Sequence, residues 1–311
     1  MERLDGGSAV PAPLRGGIVA LGNFDGFHKG HQAVVARAVS RARAEGRPAL
    51  VATFDPHPVR FFAPDVPPFR LTTLDQRQRL FAQAGADAML VFRFDATLAS
   101  TSAEEFVSGL LAGRIGAAGV VTGEDFTFGR GRGGNAAVLR ELGARHGIGA
   151  ETVAPVSLGD TLVSSSRIRE ALQAGDPGTA TRLLTRPFAV QGVVEPGDRR
   201  GRELGYPTAN LQLGTYLRPA YGIYAVRIRI GDKDSDHPGV ASLGIRPTFQ
   251  PPVELLEAHA FDLDEDLYGR TIEVDLVHYL RPEKKFDGME ALAAAMRADE
   301  AEARRRLAVP E

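Results

Sequence analysis

Short apolar runs alternate with stretches of helical periodicity in the first part of the chain. Four runs have the continuity of buried strands: Ile18–Leu21, Ala49–Phe54, Ala88–Phe92 and Gly119–Thr122. Apolar residues recur at helical spacing over about 31–45, 74–84, 103–112 and 135–146. Strands that alternate with helices predict a doubly wound α/β domain with a parallel sheet, in which ligands bind at the carboxyl ends of the strands.

After residue 186 the pattern changes to strands that are separated by turn residues. The predicted strands are Phe188–Val194, Tyr221–Ile230, Val240–Leu243, Leu256–Leu263 and Thr271–Leu280. This succession of short strands and turns predicts a small antiparallel barrel or sandwich. A helical stretch over about 288–308 ends the chain. We therefore predict a first domain over residues 1–186 and a second over residues 187–311.

Composition narrows the range of functions. A chain of 311 residues suits about two domains, and its net charge of −2 offers no basic field for nucleic acid. The absence of cysteine excludes disulfides and thiolate catalysis and fits a reducing compartment. No apolar run has the length of a membrane span, and the first 17 residues indicate a loose lead-in and not a signal peptide. We expect a cytoplasmic protein, and the oligomeric state stays open.

The junction after the first predicted strand carries the strongest chemical signal. Residues 22–32 read Gly-Asn-Phe-Asp-Gly-Phe-His-Lys-Gly-His-Gln and lead into a helical stretch. Backbone N–H groups and the dipole of a helix N-terminus attract phosphate, and His28 and His31 can donate hydrogen bonds to charge that develops on phosphorus oxygens. Taken alone, the two histidines could instead be helix caps or surface residues. A dinuclear metal site is the weaker alternative, because no cluster of carboxylates and histidines surrounds the pair.

The wider string resembles the ATP signature of nucleotidyltransferases, and most closely that of the bacterial bifunctional riboflavin kinase/FMN adenylyltransferases. Three more stretches match this family in order, namely residues 53–58 (Thr-Phe-Asp-Pro-His-Pro), 123–129 (Gly-Glu-Asp-Phe-Thr-Phe-Gly) and 163–169 (Val-Ser-Ser-Ser-Arg-Ile-Arg). The resemblance continues through residues 197–210, 242–249 and 256–269, and so covers nearly the whole chain. It implies a Rossmann-like nucleotidyltransferase domain followed by a small antiparallel β-barrel riboflavin kinase domain with a terminal helix.

In the first domain the resemblance implies adenylyl transfer from ATP to FMN, with His28 and His31 as catalytic residues. Asp125 could hold a metal ion or the ribose, and Ser166 stands where the family usually has threonine, which keeps the hydroxyl. The implied ATP-binding residues are Gly22, Asn23, Phe24, Asp25, Gly26, His28, His31, Asp125, Ser164, Ser165, Ser166 and Arg169. The implied flavin-binding residues are Phe54, Pro56, Pro58, Phe62, Phe106 and Phe128. An aromatic ring suits a flavin face, but each of these rings could equally belong to the core.

In the second domain the resemblance implies phosphorylation of riboflavin by ATP and Mg²⁺. Glu257 is the implied catalytic carboxylate, and Glu254 is the alternative that lies nearest in sequence. Ser242 departs from the family, which usually has asparagine there. The implied ATP-phosphate residues are Gly197, Gly201, Arg202, Gly205, Pro207, Thr208 and Asn210, of which Thr208 and Asn210 are also the implied Mg²⁺ ligands.

Together these patterns predict an enzyme of flavin cofactor synthesis that converts riboflavin to FMN and FMN to FAD. Its expected partners are the small molecules ATP, riboflavin and FMN, with neither nucleic acid nor a membrane. One alternative is a nucleotidyltransferase for a different acceptor, such as a pantetheine phosphate or a nicotinate nucleotide. Another is a flavin-binding protein in which only the adenylyltransferase half is active.

Overall fold

The computed structural model describes residues 1–196, 206–231, 236–246 and 253–308 and divides into two compact units. The first unit comprises Met1–Pro67 and Leu74–Ser164. The second unit comprises Pro68–Thr73 and Ser165–Glu311.

The first unit is built on a sheet of six parallel strands in the order β1–β4–β3–β2–β5–β6. These strands are β1 (Glu2–Asp5), β2 (Ile18–Leu21), β3 (Ala49–Asp55), β4 (Ala88–Arg93), β5 (Gly119–Gly123) and β6 (Gly149–Val153). A hairpin of β7 (Ser157–Leu158) and β8 (Thr161–Leu162) follows. The predicted parallel sheet is therefore confirmed, and all four apolar runs begin and end within one residue of their strands.

Helices cover both faces of this sheet, and each face has its own apolar core. They are α1 (Lys29–Ala44), α2 (Pro58–Phe62), α3 (Leu74–Gln83), α4 (Ala96–Ser100), α5 (Ala103–Glu105), a wide π-type helix over Phe106–Ile115, and α6 (Ala136–Arg145). Short 3₁₀ turns lie at Ala12–Leu14 and Arg130–Arg132. In α1 the buried residues Val34, Val35, Ala38, Val39 and Ala42 form one apolar stripe, which explains its packing on the sheet.

The expectation of a loose lead-in is wrong for the first residues of the chain. Residues Glu2–Asp5 form β1, which pairs with β4 at the edge of the sheet and extends it by one strand. No apolar alternation reveals this strand, because its residues are exposed or only partly buried. The strand depends on backbone hydrogen bonds to β4 and on contacts such as that of Arg3 with Asp75.

The second unit is a six-stranded antiparallel sheet in the order β10–β13–β12–β11–β14–β9. The strands are β9 (Phe188–Val193), β10 (Ala209–Gln212), β11 (Gly222–Ile230), β12 (Asp236–Arg246), β13 (Val253–Ala260) and β14 (Thr271–Arg281). A bridge between Glu195 and Asn210 joins the two edges of the sheet, so the predicted barrel is nearly closed. The helices of this unit are α7 (Ser165–Gln173), α8 (Pro177–Leu184) and α9 (Met289–Ala308).

Helices α7 and α8 belong to the second unit, although they precede residue 186. Helix α8 packs against β9 and β14, and the Ala220 N–H donates to the Leu172 carbonyl of α7 at 2.9 Å. The boundary predicted at residue 186 between an adenylyltransferase domain and a kinase domain stays a prediction.

Candidate active sites

The loop between β2 and α1 holds an unusual backbone. Phe24, Gly26 and Phe27 all have positive φ angles, of 50°, 85° and 43°, and only glycine adopts this region without strain. The two phenylalanine rings are buried and pack edge-on against Phe81 of α3, which anchors the strained turn. Phe24 therefore contributes its backbone to the loop, while its side chain belongs to the core.

His28 and His31 lie together at the start of α1. Their rings are stacked with centroids 3.7 Å apart, and His28 Nδ1 caps the helix by accepting from the His31 N–H at 3.3 Å. With Nδ1 as the acceptor, a neutral His28 carries its proton on Nε2, which is then a donor. The first turn of α1 contains no acidic residue, so its positive dipole end is not neutralised from within the helix. This geometry suits an anion.

The other implied ATP residues lie in different settings. Asp25 is buried, whereas Asp125 is exposed and lies just beyond the end of β5. Gly22 follows β2, and a Cβ there would approach the Phe24 ring to 3.1 Å. In the second motif, Ser164 ends the first unit, and the remaining residues lie in α7 of the second unit, namely Ser165, Ser166 and Arg169.

Arg169 already has a defined environment in the second unit. Its Nε donates to the Phe69 carbonyl at 2.8 Å, and its guanidinium lies 5.1 Å from the centre of the Phe69 ring. Phe69 thus holds the Arg169 side chain, for which the family resemblance implies phosphate binding. Arg169 is partly buried, and its predicted contact with ATP stays a prediction.

The predicted flavin residues divide into buried and exposed groups. Phe54, Phe106 and Phe128 are less than 8% exposed and belong to one core cluster, whereas Phe62 is 68% exposed. Pro58 is the first residue of α2, which His57 caps by accepting from the Val59 N–H, and the exposed Pro56 precedes them. A flat ligand could reach Phe62 directly, and flavin contact at the three buried rings stays a prediction.

Two aromatic residues that the sequence analysis did not select lie beside Phe62. Its ring centre is 5.2 Å from that of Phe61 and 5.8 Å from that of Phe94, which directly follows β4. The sequence held a signal for Phe94, because it comes just after a predicted strand and therefore at the edge of the sheet where ligands bind. Phe61 carried no such signal.

Gly129 fixes the loop that carries Phe126 and Phe128. Its φ is 72°, and a Cβ at this position would meet the Ala103 backbone nitrogen at 2.8 Å. Both features require glycine, because backbone cannot move aside as a side chain can. The rings of Phe126 and Phe128 are stacked at 5.9 Å on this loop.

In the second unit the implied kinase residues meet through strand register. Asn210 of β10 lies directly opposite Glu257 of β13, and Glu257 lies opposite Ser242 of β12. Residues that face each other across neighbouring strands have Cβ atoms about 4.5–5.5 Å apart. Thr208 precedes β10, where the neighbouring Pro207 carbonyl accepts a hydrogen bond from His259 Nδ1 at 2.8 Å. The barrel therefore brings Thr208, Asn210 and Glu257 into one region.

A pocket that is open to solvent lies against this region. Its lining includes Pro207, Thr208 and Asn210 together with the carboxylates of Glu265 and Asp266. Hydroxyl, amide and carboxylate oxygens are the donors that Mg²⁺ prefers, and Mg²⁺ usually takes its remaining ligands from phosphates and water. Among the residues that the structure describes, no three His, Cys, Asp or Glu side chains form a metal cluster on their own. The site thus fits an ion that arrives with nucleotide phosphates.

Glu254 is held in a structural network. Its carboxylate accepts from Arg218 Nε at 2.6 Å and from the Tyr221 hydroxyl. Burial alone would raise the pKa of Glu254, but these two hydrogen bonds and the charge of Arg218 hold it below its usual value. Burial and the hydrogen bond to Glu254 raise the pKa of Tyr221 to about 12.

Four of the predicted phosphate-binding residues lie outside the described residues: Gly197, Gly201, Arg202 and Gly205. In the described ranges, no helix has both the length and the apolar character needed to cross a membrane.

Comparisons with known proteins cover both units. A family model described as FAD synthetase matches residues 10–167, and one described as riboflavin kinase matches residues 184–307. The chain is 38% identical over 293 residues to a protein of Escherichia coli strain K12 named bifunctional riboflavin kinase/FMN adenylyltransferase, with 94% of this chain and 93% of that protein covered. It is 40% identical over 291 residues to a protein of the same name from Pseudomonas fluorescens, with 93% of each covered.

A solved structure resembles nearly all of the chain. It is titled as a macrolide-efflux protein from Streptococcus pneumoniae, with a TM-score of 0.86 and 31% identity over 98% of this chain and 99% of that chain.

Proposed function

We propose that this chain, which belongs to the family of bifunctional riboflavin kinases/FMN adenylyltransferases, carries adenylylation in residues 1–186 and phosphorylation in residues 187–311. The chain phosphorylates riboflavin to FMN and adenylylates FMN to FAD. The FAD synthetase match over residues 10–167 supports adenylylation in the first unit, and the riboflavin kinase match over 184–307 supports phosphorylation in the second. The functional boundary of this proposal is residue 186.

In the first unit, His28 and His31 stabilise the transition state of adenylyl transfer. The FMN phosphate attacks the α-phosphorus of ATP, and pyrophosphate leaves, so the site must align two anions and absorb the charge on their oxygens. The stacked pair at the N-terminus of α1 is the observation that carries this proposal, because it combines imidazole donors with a helix dipole.

In the second unit, Glu257 accepts the proton of the riboflavin hydroxyl as it attacks the γ-phosphorus of ATP, and ADP leaves. Thr208 and Asn210 would hold Mg²⁺, which neutralises charge on the ATP phosphates when bound. The register of Asn210 against Glu257 supports a shared location for these two residues, whereas Glu254 is held by Arg218 and Tyr221. We also place the protein in the cytoplasm with small molecules as its partners, since both reactions consume ATP.

Separate loss of each activity tests this assignment. Replacement of both His28 and His31 by alanine should abolish FAD formation from FMN while FMN formation from riboflavin continues, because we place the two reactions in different domains. The exposed His146→Ala is the matched control and should leave both rates unchanged. FAD synthesis that stays within a few-fold of the parent would remove the histidines from the mechanism.

The kinase test uses two glutamates three residues apart. Glu257→Gln keeps the shape of the side chain but removes the base, which typically lowers turnover by about 10²–10⁴-fold. Glu254→Gln should lower stability through the weakened pair with Arg218 and keep kinase turnover within a few-fold. Both rates are measured with riboflavin, ATP and Mg²⁺, and products are separated by chromatography. Near-normal FMN formation by Glu257→Gln would contradict the proposal.

A further inference from the structure

A buried arginine holds the loop that precedes α1. Arg77 in α3 is only 3% exposed, and its Nη1 donates to the Asn23 backbone oxygen at 3.1 Å and to Thr53 Oγ1 at 3.0 Å. Thr53 of β3 is fully buried and donates its own hydroxyl to the same Asn23 oxygen at 2.8 Å. The loop, β3 and α3 are thus joined through one closed triangle of hydrogen bonds, which we name the Asn23 clamp.

The clamp acts on a strained segment. Phe24, the residue after Asn23, has a positive φ, and such positions persist only where the surrounding structure over-determines them. Burial of a guanidinium is costly unless its hydrogen bonds are made, and two of those of Arg77 converge on the oxygen of Asn23 and the hydroxyl that binds it. The position of the Asn23 backbone is therefore fixed by two donors at once.

The side chain of Asn23 has an unused acceptor. Within the described parts of the chain, its Oδ1 is buried and has no hydrogen-bond partner. A buried acceptor without a partner destabilises a protein, so this oxygen needs a donor from elsewhere. Phosphate oxygens are acceptors and cannot supply the proton, whereas a hydroxyl or amino group can.

We propose that Arg77 and Thr53 are positioning residues of the adenylyltransferase site, which fix Asn23 so that its Oδ1 accepts a hydrogen bond from a substrate hydroxyl or amino group. This inference rests on the proposed location of that site at the β2–α1 loop. ATP and FMN both carry such donors, and the KM of each substrate identifies which one Asn23 contacts.

The test compares KM values for FAD formation in the full chain. Asn23→Ala should raise the KM for one substrate by about 3- to 10-fold, the effect of one lost hydrogen bond. Arg77→Met should raise the same KM, and Arg77→Lys should bring that KM part of the way back to the parent value. The KM of the double variant, Asn23→Ala with Arg77→Met, should not exceed the larger of the two single-variant values. Arg79→Met, on the exposed side of α3, is the control and should change neither KM.

A purely structural role gives a different result. It would lower the melting temperature and kcat of Arg77→Met through a smaller active fraction, leave both KM values unchanged, and overturn the proposal. If Arg77→Met does not fold, the KM values of Thr53→Val take its place in the test. This change removes one hydroxyl from the Asn23 clamp and keeps the side-chain shape. If FAD formation survives the replacement of His28 and His31, the proposed location of the adenylyltransferase site at the β2–α1 loop is wrong. The kinase activity of each variant reports whether its second unit is intact.

Discussion

The proposed kinase site lies after residue 186, but the second unit also includes residues before it. A fragment of residues 187–311 keeps Thr208, Asn210 and Glu257 and loses α7 and α8. Four large apolar side chains of these helices are at most 2% exposed: Ile168, Leu172, Leu183 and Leu184. We therefore expect a fragment of residues 165–311 to be far more stable than the shorter one.

The magnitude follows from the lost burial. Each of the four side chains contributes about 1.5–3 kcal/mol when it is removed from water, or roughly 6–12 kcal/mol together as an upper estimate. A whole domain is stable by only about 5–15 kcal/mol. Loss of the two helices should therefore bring the shorter fragment close to unfolding, although it contains the proposed catalytic groups.

Urea unfolding followed by circular dichroism measures the difference. The longer fragment should unfold cooperatively and make FMN, whereas the shorter fragment should be largely unfolded without denaturant. Leu183→Ala in the longer fragment provides a graded control, with an expected loss of about 2–5 kcal/mol. Free energies of unfolding that agree within about 1 kcal/mol for the two fragments would refute the reasoning, because α7 and α8 would then add nothing to the barrel.

Two further predictions concern buried polar groups. Thr122 Oγ1 is buried without a hydrogen-bond partner in the described ranges, so Thr122→Val should stabilise the first unit by about 1 kcal/mol, and a lower melting temperature would contradict this. Burial raises the pKa of Asp275 to about 6, despite its pairing with Arg229. Its contribution to stability is thus present below about pH 4 and is lost as the pH rises through 6. The stability difference between the parent and Asp275→Asn should change over this range, and a constant difference would contradict the shift.

The sequence predicts best where one physical signal dominates. The run Ile18–Leu21 is β2 without any change of bounds, because a strand buried on both faces needs a continuous apolar run. Strand β1 could not be predicted in the same way, since its exposed residues carry no pattern. Strand β10 was not predicted either, because Asn210 and its neighbours do not alternate between apolar and polar residues. They stood out only as candidate ligands.

Helices α7 and α8 show a different limit of sequence analysis. Each helix has an apolar stripe on one face, and Ile168 of α7 and Leu183 of α8 are buried through it. An apolar stripe in the sequence does not indicate which sheet the helix packs against, because the hydrophobic effect depends on the apolar area buried and not on the partner. Only the fold shows that both helices join the barrel. The same holds for Arg77, whose burial no sequence pattern indicates.

The distinction between Glu254 and Glu257 follows from the geometry of a strand. Successive side chains point to opposite faces, so two residues three apart in β13 face opposite ways. Only one of these carboxylates can share a face with Asn210, and the register gives that place to Glu257. A slip of one residue would exchange the faces of the two carboxylates. The pairing of Glu254 with Arg218 opposes such a slip, because it would have to break. The structural carboxylate therefore helps to keep the proposed catalytic one in register.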